Sequence, residues 1–380
     1  MGMRGPRILL AVGLAIASAA AACAPDAPPT VTQPPEPAEV VPWPDTLAWA
    51  EPGLPAPPIG PLVTEHMAAV TADASGFVAV GFHEIGPERD GVIWFSADGR
   101  SWDTVGLGAA LAGVDLVDVA AGVGGFVALG STLAGGAPAT VVYRSDDGEH
   151  WERLAIPGAA DTYASSVAGG PGGYVASGNA GDGGSVMWVS RDGRTWERTA
   201  REAMGAGGAG VIDPQADGEG WVALGSNVLP PVLLRSTDGI AWTATGIEAT
   251  TEAYADRLVA GRFGLIALGG QGSCGPLGSC GSGVVAWWSG DGGRWTRLRL
   301  DPEDANGGAA VVAAGDHGFI QIDGANARWS STGWSWKPLP EPGDGSSVVN
   351  AAVVRGDTIV AVGETYLADG GSTGRIIVAE

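Results

Sequence analysis

Few side chains in this sequence stand where their types and spacing could do chemistry. The four histidines, His66, His83, His150 and His317, share no paired spacing, so no metal centre is expected and no cofactor is implied. Glu364 and Tyr366 are two residues apart and could form a tyrosine and carboxylate pair of the kind used in nucleophilic catalysis, but no arginine cluster accompanies them. Arg144, Arg191 and Arg235 fall in or beside Asp-Gly turns and read as solvated charges. No glycine-rich stretch opens a helix to cradle phosphate, and no serine nucleophile elbow occurs, so no catalytic residue is assigned. What remains is a set of acidic and aromatic groups in variable segments: His83, Glu88, Asp161, Tyr163, Glu252, Tyr254, Asp304, Glu364 and Tyr366. They suit recognition of sugars, peptides or cations over anions. Cys274 and Cys280 are close enough in the chain to pin a loop by a disulfide outside the cytoplasm.

The elements that must position these groups come from a repeat. SADGRSW from Ser96, SDDGEHW from Ser145, SRDGRTW from Ser190, STDGIAW from Ser236 and SGDGGRW from Ser289 share S-x-D-G-x-x-W, and SSTGWSW from Ser330 is a sixth copy with Thr332 in place of the aspartate. The repeated residues are thus Asp98 and Trp102, Asp147 and Trp151, Asp192 and Trp196, Asp238 and Trp242, Asp291 and Trp295, then Trp336. An Asp-Gly pair between two apolar runs is a hairpin signal, because glycine takes positive φ freely and aspartate can accept from nearby backbone amides. Upstream of each copy lies a second motif: GFVAVG at Gly76, GFVALG at Gly125, GYVASG at Gly173, GWVALG at Gly220, GLIALG at Gly264 and GFIQID at Gly318. Each reads as a strand buried on both faces. With a small-residue strand before it, one period holds four strands, A to D, the plan of a propeller blade.

The last period has strands A, B and C, from Val348 to Val354, from Asp357 and from Arg375 to Ala379, with no fourth strand after them. Asp45 and Trp49 keep the four-residue step from Asp98 to Trp102, so the N-terminal strand is expected to close this blade. The fold class predicted is all-β, a seven-bladed β-propeller, with D-to-A and B-to-C connections both long and opening on one face. The repeat tryptophans are expected to be structural, buried at the outer edges of the blades.

These residues resemble the Asp-box, or BNR-repeat, propellers, a superfamily that includes sialidases and sortilin-type receptors. Its pattern is S-x-D-x-G-x-x-W, and every copy here is one residue shorter between aspartate and glycine. The resemblance implies the fold over nearly all of Asp45 to Glu380; for function it implies little, since Asp-boxes are structural turns. Sialidase-like catalysis would need three arginines converging on a carboxylate, which no group of residues here matches.

The N-terminus adds a location. Arg4 and Arg7 precede an apolar run from Ile8 to Ala22, and Ala20-Ala21-Ala22-Cys23 resembles a bacterial lipobox, although leucine usually stands where Ala20 does. Residues 1–22 are therefore expected to be a lipoprotein signal peptide, with ordinary secretion or an uncleaved anchor as the alternatives, Cys23 the lipidated residue, 23–44 a Pro-rich tether and 45–380 the propeller. Loss of Arg4 and Arg7 with the signal takes the formal net charge of −22 to −24, a field that repels phosphate backbones and excludes nucleic acid as a partner. The sequence thus predicts a monomer on the extracytoplasmic face of the cell membrane, held by its lipid, that binds or scaffolds a protein or glycan; a sialidase-like glycoside hydrolase is the alternative.

Overall fold

The computed structural model describes residues 41–43, 47–55, 64–86, 88–132, 137–199, 210–218, 220–226, 228–247, 253–271, 283–298, 311–343, 345–368 and 370–380. Cys23, Asp45, Glu252, Cys274, Cys280 and Asp304 lie outside them. The described strands form seven four-stranded antiparallel sheets. Six are built from consecutive strands, with inner strands A at Thr64–Ala72, Val114–Gly122, Thr162–Gly170, Gly210–Ala216, Ala253–Gly261 and Val311–Gly315. The seventh takes Ser347–Arg355, Thr358–Tyr366 and Ser372–Ala379 from one end of the chain and Trp49–Ala50 from the other. Each inner strand touches the next in order, and the seventh touches the first, so the blades close a ring. Trp49 lies opposite Ala379, as Trp151 lies opposite Ser145 and Trp196 opposite Ser190. The N-terminal strand therefore occupies the repeat register of strand D.

The turn motif shows why its residue types recur. In blade 1, Ser96 Oγ accepts from the Gly99 amide at 2.8 Å, and Asp98 Oδ1 accepts from the Arg100 and Ser101 amides at 2.8 and 2.9 Å. Gly99 sits at a φ of +80°, and its carbonyl receives the Trp102 indole N–H at 2.8 Å. The same four contacts recur at Asp147, Asp192, Asp238 and Asp291. Amide donors directed at these carboxylates hold all five below the usual aspartate range. At the sixth copy Thr332 Oγ1 accepts from the Trp334 amide, and buried Ser330 Oγ has no partner among the described residues.

The indoles do more than cap blade edges. Trp102 packs among Val360, Val362, Ile376 and Val378 of blade 7, Trp151 against Val78, Val80 and Ile93 of blade 1, and Trp196 against Val127, Leu129 and Val142 of blade 2. These three tryptophans thus bridge from their own outer strands to the preceding blade, and the burial of each is worth about 1.5 to 3 kcal/mol, whereas Trp336 is only half-buried.

The glycines at both ends of the B-strand motif answer to close approach. A Cβ at Gly76, Gly125, Gly173, Gly220, Gly264 or Gly318 would stand 2.1 to 2.5 Å from the carbonyl oxygen of the turn serine. At the other end, strand A bulges by one residue after Met67, Leu116, Ala164, Ala255 and Val349, which drives a carbonyl toward the facing glycine. A Cβ at Gly81 would lie 1.8 Å from the His66 oxygen, and at Gly363 1.8 Å from that of Val348. Gly81→Ala should lower the unfolding free energy by about 1 to 3 kcal/mol in urea titration, as overpacked sites do. Gly106→Ala, at a site with nothing within 4 Å of the new Cβ, should change it by less than about 0.5 kcal/mol; equal effects would contradict the bulge contact.

Candidate functional site

The inner strands present a free backbone edge to a central channel of about 660 Å³, lined mainly by alanine and valine with Asp118, Asp213 and Asp256 among them. Unpaired amides there need acceptors. Side chains of one blade supply them to the next: Thr71 Oγ1 accepts from the Ala121 amide at 3.1 Å, Asp118 Oδ2 from Val167 at 2.7 Å, and Asp213 Oδ2 from Leu258. Across the closing seam, Asn350 Nδ2 donates to the Met67 carbonyl at 2.9 Å. Enclosure by protein pushes Asp118 up to about 7 and Asp213 up to about 6, with the negative charge of Asp213 adding to the shift at Asp118. Of the described residues lining the channel, Arg257 alone is cationic.

The start of each strand A and the end of each strand B lie on one face of the ring. Two polar pairs seal blade 7 to blade 1 there. His83 Nε2 meets Glu65 Oε1 at 2.8 Å, and the other Glu65 oxygen accepts from the Gly374 amide at 3.0 Å. Glu364 Oε2 takes His66 Nδ1 at 3.2 Å and Ser372 Oγ at 3.0 Å, and Glu364 Oε1 takes the Tyr366 hydroxyl at 3.4 Å. His66 stacks on Phe82, over which Arg89 also lies while pairing with Glu84 and Asp115. The sequence reading missed Glu65, His66, Arg89 and Ser372, because each gains meaning only from a strand of another blade or hairpin.

Tyr366 and Glu364, which the sequence spacing allowed to pair, are in hydrogen-bond contact. The electrostatics of the pair run against nucleophilic use, since the Glu364 charge pushes the phenol above its ordinary value and keeps it a neutral donor. Tyr366 is 63% exposed, Tyr163 46% and Tyr254 45%, and all three lie on this same face, at the end of a strand B and near the start of two strands A. Tyr143 and Tyr174 are buried.

Several expectations need correction. His83 and Glu364 are not loop groups: both are buried in strands and spent on the seam. The B-to-C connection of blade 1 is a tight hairpin between Ile85 and Glu88, so Glu88 opens a strand. Asp161 sits in a turn at a φ of +57°. Arg144 is not solvated; it is buried between blades 2 and 3, donating to the carbonyls of Phe126, Asp192, Gly124 and Ser145 and pairing with Asp146. Among the described residues no three histidine, cysteine or acidic side chains are placed to hold a metal, and no helix is long and apolar enough to cross a membrane.

No model of a protein family matches the sequence, and no curated protein matches it. Solved structures do. The WD40 repeats of RRP9 align over 87% of this chain and 96% of theirs, with a TM-score of 0.51 at 12% identity. A Lactobacillus plantarum protein aligns over 78% of this chain and 94% of its own, with a TM-score of 0.51 at 10% identity. A Trypanosoma rangeli sialidase mutant aligns over 83% of this chain and 54% of its own, with a TM-score of 0.45 at 10% identity. The chain is a β-propeller; at such identities the likeness is one of fold and says nothing of activity.

Asp118 binds a proton more tightly folded than unfolded, where a value of about 3.9 applies, so its ionisation costs the fold stability as pH rises from about 4 to about 7. Relative to wild type, Asp118→Asn should gain on the order of 2 kcal/mol in urea unfolding between pH 4.5 and pH 8, after allowance for channel water. An unchanged difference across that range would contradict an enclosed carboxylate.

Proposed function

We propose that this chain is an exported, lipid-anchored binding or scaffolding module of the cell envelope, engaging a protein or glycan through its tyrosine-bearing face. The observation that carries this reading is the gathering of every described exposed tyrosine on the face where the long D-to-A connections open. Tyrosine combines a flat apolar ring with a polar tip at low entropic cost, which makes it a common anchor at recognition surfaces. The Arg4 to Cys23 segment supports export and lipidation, and the turn geometry fits the likeness to Asp-box propellers, whose boxes are structural. The sialidase-like alternative draws support from the Tyr366 and Glu364 contact alone, against a channel lining with one arginine.

Glycan arrays and crosslinking to envelope proteins, run beside a panel of chromogenic glycosides, test the reading. Binding without turnover is expected, and Tyr163→Ala, Tyr254→Ala or Tyr366→Ala should each weaken it at least about 5-fold, the scale of an interface anchor. Glycoside turnover by wild type, or binding indifferent to all three substitutions, would sink it.

A further inference from the structure

On the face opposite the tyrosines, the C-to-D turn of one blade sits beside the preceding blade, and the residue before the turn serine of that preceding blade fills the slot between them. Phe95 does so between blades 1 and 2, where a Cβ at Gly148 would meet its ring at 2.6 Å. Arg144 does so between blades 2 and 3, and Arg235 between blades 4 and 5, each donating to the carbonyl of the next turn's aspartate. Trp288 lies beside Gly333 between blades 5 and 6. At the closing seam Val378 holds this place, and Arg355 of blade 7 reaches across instead, donating to the Asp73 and Ala97 carbonyls and lying over the Phe77 ring.

Between blades 3 and 4 the slot stands open. Val189 occupies the place of Phe95 and Arg144, Gly170 occupies that of Arg355, and a groove of about 720 Å³ remains. Gly172, Tyr174, Ser190 and Asp238 line it. These four hold, one blade further on, the repeat positions of Gly124, Phe126, Ser145 and Asp192, whose carbonyls receive the Arg144 guanidinium. The carboxylates of Asp192, Glu197 and Asp238 lie along the groove against one cation, the exposed Arg191. Backbone amides hold Asp192 and Asp238 below the usual aspartate range, so both are charged at neutral pH.

We propose that the groove between blades 3 and 4 is a receptor for an arginine side chain of a polypeptide partner, which enters the place that Arg144 fills from within between blades 2 and 3. A guanidinium is flat, permanently charged and weakly hydrated, and it presents five N–H donors in a fixed plane, which a lysine ammonium cannot match. Arg191 stands where Asp146 pairs with Arg144, so the incoming guanidinium finds its counter-charge in Asp192, Glu197 and Asp238. The formal net charge of −22 favours the approach of a cationic partner. Ile240, 39% exposed in the same groove, offers an apolar contact to the residues beside the arginine. The site lies away from the tyrosine face and stands whether or not that face binds a protein or a glycan.

Trp221 also lines the groove, and its indole N–H resonance, identified by its loss in Trp221→Phe, reads occupancy in the isotope-labelled full chain. An acetylated and amidated Gly-Arg-Gly peptide should shift that resonance saturably. The corresponding Gly-Lys-Gly peptide should bind about 5- to 10-fold more weakly, the scale of one or two lost hydrogen bonds. Val189→Arg, which rebuilds the Arg144 arrangement, should abolish the response to the arginine peptide while the circular dichroism stays native. Val189→Phe, which follows Phe95, should abolish it by filling the slot with a ring. An arginine peptide that leaves the resonance unmoved, a lysine or phenylalanine peptide that binds as tightly, or a response that survives in a natively folded Val189→Arg or Val189→Phe chain overturns the proposal.

Discussion

A sheet with two apolar faces cannot stand in water, and that constraint governs this molecule. The B-strand residues Phe77, Val78, Ala79 and Val80 are all fully buried, although they alternate between the two sides of their sheet. Each blade must therefore be covered twice, and only a ring gives every blade two neighbours. Closure covers the faces and leaves the edges, and along the inner edge polar side chains passed from blade to blade take up backbone groups, while the outer edge is kept short. The closing seam carries the same logic further, with Glu65, His83, Glu364 and Ser372 joined in a hydrogen-bonded set where the two ends of the chain meet.

The turn and the motif strand are two halves of one device. The serine that takes the turn amide offers its own carbonyl to the strand glycine, and the glycine lacks the Cβ that would push it away. The tryptophan then carries the hairpin onto the previous blade. Local hydrogen bonding, backbone contact and inter-blade packing are thus specified by the same seven residues, and consistency of this kind across levels favours a single fold.

That locality explains what could be read in advance. The blade count, the closing strand and the structural role of Asp98 or Trp151 follow from contacts within a few residues or from simple periodicity. The site did not, because His66 meets Glu364 and Gly374 meets Glu65 across a sequence separation of some three hundred residues. Whether Arg144 faces water or a neighbouring blade depends on how the next sheet is stacked, and nothing beside it in the chain tells the two apart. The bulges after Met67 and Leu116 left a trace in the glycines at 81 and 130, but one that is interpretable only once strand pairing is known. Trp43 was read as tether because a proline-rich approach hides its burial in the core between blades 6 and 7.

Ring closure by the N-terminal strand remains the claim on which both the seam and the tyrosine face depend. Ala50 lies opposite Val378 in that pairing. A chain carrying Ala50→Cys and Val378→Cys, oxidised under native conditions and mapped by mass spectrometry, tests it most directly. The account predicts a cross-link between these two positions in the folded protein and a higher unfolding midpoint than in the reduced form. A protein that folds with native circular dichroism yet forms no such bond would show that the first strand does not complete the last blade.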